Sequence, residues 1–267
     1  MAAGRSEPTE FEFQLLGPVT VVAAGRERAL SGTKQRTLLA ALLLARGALV
    51  LDSQLIGVLW GDQAPATVGA QLYTHASRIR GRLGAGLGLV RQSTGYRLRP
   101  VEHRCDAVEF ARLAAEGHDA LRAGRYAAAA TRLRDALGWW RGPALADVTD
   151  LLRDAEVAAL DEARMAALEG RIEAELALGE HLRLVPELSG LVRREPLRER
   201  LRVLLMTAFY RSGRRAAALE CFAEGRRTLG EELGVDPGEA LLAAQRAVLR
   251  GDQLRPGARL AGAGVGP

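Results

Sequence analysis

Apolar residues recur along residues 67–83 at helical spacing: Leu72, Ala76, Ile79 and Leu83 form one stripe. The pattern predicts an amphipathic helix from Thr67, whose hydroxyl is placed to cap the first turn after Pro65 and Ala66. A Gly-rich break follows. VRQSTGYRL then predicts a short β-hairpin with a Ser93-Thr94-Gly95 tip, Gly95 supplying the backbone freedom of the turn. Upstream, FEFQLLGPVTVVAAGRERAL alternates from Phe11 and breaks at Gly17-Pro18 and Ala24-Gly25, so two or three antiparallel strands are expected. SGTKQRTLLAALLLARG predicts a helix starting within residues 31–33, with Leu38, Leu39, Leu42 and Leu43 inward and Gly47 as its stop. A short strand over 48–51 and a second helix, capped by Asp52 or Ser53 and running through Trp60, complete the front of the chain.

Beyond residue 106 the pattern is helical to about residue 249. Helices are expected over 108–124, 125–140, 151–178, 180–194, 196–212, 214–233 and 237–249, the first capped by Asp106. LRAGRY, LALGEH and YRSGRR each separate two of these helices, and Gly179 and Gly213 are 34 residues apart. That period is the one of tetratricopeptide helix pairs, which stack because a single pair cannot bury its apolar face. A generic helical bundle is the alternative. Strands, three helices and a hairpin followed by helical pairs predict an α+β winged helix-turn-helix domain followed by an all-α tetratricopeptide-like helical repeat domain. The expected boundaries are a disordered N-terminus (1–10), the winged domain (11–100), the repeat domain (106–250) and a Gly/Pro/Ala-rich disordered tail (251–267).

Charge sharpens this division. Residues 26–99 hold eleven Arg or Lys against three Asp or Glu, whereas the rest of the chain to residue 250 is close to balanced. Such segregation is the footprint of a polyanion binder. Only one of the 37 basic residues is Lys (Lys34), so Arg identity carries less weight than its clustering. The helix after Thr67 turns outward a basic, polar face with no carboxylate, suited to phosphates and base edges. A solvated face in an Arg-rich protein is the plainer alternative. No apolar run approaches a membrane span and the first ten residues lack a signal-peptide core, so no membrane association and a cytoplasmic location are expected. Cys105 and Cys221 stand far apart without CxxC spacing.

Chemistry of an enzyme is not legible. The four histidines are scattered, with no HExxH, and His103 with Cys105 has no second ligand pair. Ser31-Gly32-Thr33-Lys34 lacks the spacing of a P-loop, and no GxSxG or GxGxxG joins a strand to a helix. Glu162, Glu169 and Glu173 interleave with Arg164 and Arg171 and read as a solvated helix face. Trp139-Trp140 reads as a hydrophobic lock at a helix end. Neither a cofactor nor a metal is implied, and no catalytic role is expected.

FEFQLLGPVTV, KQRTLLAALLL, LIGVLWGD, QLYTHASRIRGRLG and GYRL, in that order, resemble the DNA-binding half of the Streptomyces antibiotic regulatory protein family. LGWWRGPALAD, EARMAALEGRIEAELALGEH, PLRERLRVLLMTAFYRSGRRAAAL and LGEELGVDPGEAL are similar to that family's bacterial transcriptional activation domain. The resemblance spans about residues 11–252. It implies an OmpR-type winged helix fused to a tetratricopeptide-like domain. It also implies an activator of a secondary-metabolite (antibiotic) gene cluster. Such an activator binds short direct repeats of double-stranded DNA near a promoter, as a homodimer or side-by-side pair, and recruits RNA polymerase holoenzyme through its sigma and neighbouring subunits. Thr33 departs from the Pro frequent before Lys-Gln-Arg in that family. Candidate base readers are Gln71, Thr74, His75 and Arg78, since Arg bridges guanine O6 and N7 and Gln pairs with adenine. Thr33, Lys34, Arg36, Thr67, Arg80 and Arg82 are candidates for the DNA backbone, and Arg91, Thr94 and Arg97 for wing contacts. A protein-interaction scaffold whose front domain docks protein is the alternative function, and the charge split argues against it.

Overall fold

The computed structural model describes residues 11–99 and 103–252; of the segments expected to be disordered, 1–10 and all of the 251–267 tail beyond its first two residues lie outside the described residues. Strands β1 (Phe11–Gln14), β2 (Thr20–Ala23) and β3 (Arg26–Glu27) lead into helix α1 (Thr33–Leu44), β4 (Val50–Leu51), α2 (Asp52–Trp60) and α3 (Val68–Leu83). The hairpin β5 (Leu89–Gln92) and β6 (Gly95–Leu98) follows, then β7 (His103–Cys105). Seven helices complete the described chain: α4 (Asp106–Arg122), α5 (Tyr126–Leu137), α6 (Asp150–Ala177), α7 (His181–Arg194), α8 (Glu199–Arg211), α9 (Arg215–Leu233) and α10 (Glu239–Arg250). A mixed α/β front is thus followed by a mostly helical remainder. No helix among the described residues is long and apolar enough to cross a membrane.

The chain divides into two compact units, and the division does not fall at 100–106. One unit runs to Leu113 and takes back Asp135–Met165; the other comprises Ala114–Arg134 and the chain from Ala166. Part of the expected repeat region therefore belongs to the front unit. The expected linker is also partly a strand: β7 pairs in parallel with β1, Phe11 opposite His103 and Phe13 opposite Cys105.

In the first unit a four-stranded sheet has the order β3-β2-β1-β7 and a three-stranded one the order β4-β6-β5. Alternation places Phe11, Phe13 and Val21 wholly in the interior, where Leu38, Leu39, Leu42, Leu55 and Ile79 are also buried. Asp106 ties the end of β1 to the start of α4. Its buried carboxylate accepts the Leu15 N–H at 2.7 Å, the Leu16 N–H at 2.9 Å and the Ala107 N–H at 2.7 Å. Burial pushes this carboxyl above its ordinary range, against the pull of those donors and of Arg141.

The segment between α5 and α6 is bound into the same unit. Arg141 and Leu145 donate backbone N–H groups to Leu16 and Leu15, each at 2.9 Å, and the Asp147 carboxylate accepts from Val19 N–H at 2.7 Å. Thr149 donates its N–H to Thr37 Oγ1 at 2.9 Å and its hydroxyl to the Val58 carbonyl at 2.6 Å. Trp140 packs edge-on to Phe110, with ring centroids 5.5 Å apart, and the Arg164 guanidinium lies over the Trp140 ring, 4.6 Å from its centroid.

In the second unit α7 packs on α8, α8 on α9, and α10 on both α8 and α9. The turns at Gly124, Gly179 and Gly213 are left-handed, with φ of 71°, 92° and 74°, which explains glycine at each helix end. The solvated-face expectation for α6 holds for the exposed Glu162 and Arg164 but is overturned for Glu169, Arg171 and Glu173. Glu169 and Glu173 are buried, with Arg198 and Arg200 paired to the first and Arg200 to the second. Arg171 is buried as well and pairs with Glu175 and Glu187. Alternating charge on a long helix looks solvent-facing from spacing alone, but Glu187 of α7, Arg200 of α8 and Arg198 just before α8 supply partners from elsewhere in the chain.

Candidate nucleic-acid interface

The N-terminus of α1, the whole outward face of α3 and the β5–β6 hairpin are the parts of the first unit that carry the candidate residues. α3 buries Leu72, Ala76, Ile79 and Leu83 and so fixes which residues turn outward. Exposed along it are Gly69, Ala70, Tyr73, Thr74, Ser77, Arg78, Gly81 and Arg82, none of them acidic. Among the described residues, no ion pair or hydrogen bond engages the Arg78 guanidinium. The hydroxyl of the exposed Thr74 donates to the Ala70 carbonyl at 2.8 Å, and its oxygen keeps lone pairs to accept a further bond.

Two candidate base readers are less available. His75 is half-buried, its ring centroid 6.0 Å from that of Trp60, and its Nδ1 is buried without a hydrogen-bond partner. Burial first, then the Lys34 and Arg78 charges, lowers its pKa below the ordinary histidine value, which favours the neutral ring. Gln71 is half-buried and donates its side-chain amide to Thr67 Oγ1 at 3.2 Å. Thr67 occupies the N-cap position, yet its hydroxyl makes no capping bond to the helix backbone.

The backbone candidates divide similarly. Thr33 is the exposed first residue of α1, whose first turn has no acidic side chain. The Lys34 ammonium lies 4.3 Å from the Trp60 ring centroid, a cation–π contact that holds it beside that helix end. Arg36 turns away, paired at 2.9 Å with Asp147 and bonded to the Asp147 carbonyl at 3.0 Å. Arg80 donates to the Leu89 carbonyl at 2.9 Å and Arg82 to the Ala29 carbonyl at 2.8 Å. These two guanidiniums brace α3 against its neighbours.

In the hairpin, Arg91 is bound by both nitrogens to Asp52, and Arg97 donates to the Gly47 carbonyl. Neither is a free cation. Thr94 stays exposed at the tip, its carbonyl accepting the Asp52 N–H at 2.9 Å. Asp52 therefore opens α2 without capping it; the Gln54 side chain accepts the Leu51 N–H instead, at 2.9 Å. Gly95 also has a different reason from the one expected. A Cβ there would lie 2.1 Å from the Val50 carbonyl oxygen, so glycine permits β4 to approach β6 rather than freeing the turn.

Sequence reasoning gave no role to Tyr73 and Ser77, although both are on the outward arc of α3. The signal was present in their helical phase relative to the buried stripe. Among the described residues, no group of three His, Cys, Asp or Glu side chains is placed to hold a metal ion. Both cysteines are buried and free, and burial pushes each thiol up to about 11.

Comparison with known proteins gives this geometry a context. The family described as "Bacterial transcriptional activator domain" matches residues 105–249, so its span begins inside the first unit. The regulatory protein DnrI of Streptomyces peucetius is 38% identical over 252 residues, covering 90% of this chain and 93% of DnrI. The regulatory protein AfsR of Streptomyces griseus is 41% identical over 241 residues, or 90% of this chain. The chain spans only 25% of the length of AfsR. A solved structure of Mycobacterium tuberculosis EmbR in complex with a low-affinity phosphopeptide is similar over 92% of this chain and 66% of that one, with a TM-score of 0.86 and 32% identity. The chain belongs to the Streptomyces antibiotic regulatory protein family of transcriptional regulators.

Proposed function

We propose that the chain is a sequence-specific DNA-binding activator whose first unit acts as a winged helix-turn-helix, with α3 in the major groove. The observation that carries this reading is the outward face of α3, free of carboxylates and bordered by Arg78 with its guanidinium unengaged. A major groove admits a helix, and an Arg there bridges the guanine acceptors. Thr74 lies beside Arg78 on the same face. Thr33 and Lys34 at the start of α1, together with Thr67, supply backbone contacts where helix N-terminal N–H groups meet phosphate. The internal ties of Arg36, Arg80, Arg82, Arg91 and Arg97 give those residues a bracing role, with the Thr94 tip left to approach the minor groove.

In this reading the second unit is a tetratricopeptide-like array that recruits RNA polymerase through its sigma and neighbouring subunits. Two copies sit side by side on direct repeats near the promoter of a secondary-metabolite gene cluster. The DnrI and AfsR likenesses support a regulator of this kind. The test is binding of the full chain to DNA enriched by in vitro selection, compared with random duplex at two salt concentrations. Arg78→Ala is expected to weaken selected DNA by roughly 10-fold to 100-fold and leave random duplex little changed. Lys34→Ala is expected to weaken both and to flatten the salt dependence by about one charge. Equal losses on both DNAs for Arg78→Ala would remove its base-reading role.

A further inference from the structure

Tyr73 is 60% exposed, more than any other aromatic side chain among the large apolar residues that reach the surface. Its neighbours one turn away along the same face are Gly69 and Ser77, and no hydrogen bond engages its phenol among the described residues. At about 100° per residue, Tyr73 and Arg78 border an arc filled by Ala70, Thr74, Ser77 and Gly81. Those small residues allow the helix axis to come close to a groove floor. The two long side chains stand at its edges.

Resting on the DNA-reading function above, we propose that Tyr73 is a specificity-determining residue whose ring reads the 5-methyl group of a thymine. The thymine methyl is the one apolar feature of the major-groove code, and an aromatic edge is a suitable surface for it. Stacking is not available to Tyr73 in a duplex, because aromatic stacking on bases requires them to be splayed out. Tyr73 and Arg78 are five residues apart, about 7.5 Å along the helix axis at 1.5 Å per residue. With base pairs about 3.4 Å apart, the thymine lies roughly two to three pairs from the guanine met by Arg78.

The experiment uses the full chain and its selected operator, with each thymine replaced in turn by deoxyuridine, which lacks only the methyl. At one thymine the wild-type protein is expected to lose about fourfold in affinity, the value of one buried methyl-sized group. Tyr73→Ala is expected to bind the thymine and deoxyuridine duplexes equally, and Tyr73→Phe to keep the fourfold difference. The assignment is overturned when every deoxyuridine effect survives in Tyr73→Ala. It is overturned equally when Tyr73→Phe weakens all duplexes alike, the mark of a phenol on phosphate. Selection that enriches no sequence at all would remove the DNA-reading function, and this role of Tyr73 with it.

Discussion

Two hydrogen bonds join the Arg91 guanidinium to the Asp52 carboxylate, the Nη2–Oδ2 bond at 2.6 Å, and tie the hairpin to the first turn of α2. The same guanidinium lies 4.7 Å from the Tyr96 ring centroid. A cation already matched to a carboxylate has little to gain from phosphate. Because both side chains are about one-third exposed, the pair is worth only about 0.5–1 kcal/mol of stability. Arg91→Ala is therefore expected to lower the unfolding free energy by that amount in urea and to leave the salt slope of DNA binding unchanged. A slope flattened by a whole charge would mean that Arg91 leaves Asp52 for the DNA backbone.

Gly95→Ala tests how closely the hairpin is packed. The added Cβ would meet the Val50 carbonyl oxygen at 2.1 Å and the Leu51 Cα at 2.9 Å, backbone atoms that cannot rotate aside. The β4–β6 pairing must open or shift to admit it, at a cost of about 3 kcal/mol, the upper part of the overpacking range. Urea unfolding of the full chain would show this as a lowered midpoint. A loss below about 0.5 kcal/mol would mean that β4 moves freely.

The elements of the first unit were legible where burial follows a local period. Leu72, Ala76, Ile79 and Leu83 repeat at helical spacing, and Leu38, Leu39, Leu42 and Leu43 do the same in α1, so both buried stripes are readable from the residues alone. β7 was not, because a three-residue strand has no period and its pairing partner Phe11 is about ninety positions earlier. The return of residues 141–149 to the first unit is equally silent: two of its bonds run from backbone N–H groups to the Leu15 and Leu16 carbonyls, and the side-chain bonds of Asp147 and Thr149 reach partners 91 to 128 positions away, which no local pattern records. The candidate interface was legible by charge but not by availability. Arg36 and Arg78 look alike in sequence, yet Asp147, 111 positions from Arg36, is what turns it inward.

His75 makes the stability of the protein depend on pH below neutrality. Its half-buried ring is next to Trp60 of α2, with Lys34 of α1 and Arg78 of α3 as the charges that act on it. All three influences disfavour the imidazolium in the folded protein, so its pKa is lowered from 6.5. The unfolded chain then binds the proton more readily, and stability falls as pH drops below about 6.5 toward the folded value, while above 6.5 the group contributes no slope. His75→Gln removes the titrating group. Urea unfolding at pH 7.5 and 5.5 should show a smaller loss on acidification for the variant than for the wild type. The same loss in both proteins would place the acid sensitivity elsewhere.

Glu175 anchors a buried ion-pair cluster in the second unit. It stands in the last turn of α6, where the helix dipole disfavours a negative charge, and it is only 1% exposed. Three guanidiniums offset both penalties: Arg134 and Arg171 at 2.7 Å and Arg183 at 3.1 Å. Arg171 is itself buried, so removing the carboxylate leaves it with Glu187 alone. Breaking a buried pair by deleting one partner costs about 3–5 kcal/mol, and Glu175→Ala is expected to fall in that range. Arg183→Ala removes a mostly exposed cation that also reaches Glu180, and should cost no more than about 1 kcal/mol. Salt separates the two further, since exposed pairs are screened at high ionic strength and buried ones much less. The Glu175→Ala deficit should therefore persist in 1 M NaCl, while the Arg183→Ala deficit shrinks. Equal and salt-sensitive losses in the two variants would mean that solvent reaches Glu175 and that the cluster is a surface network.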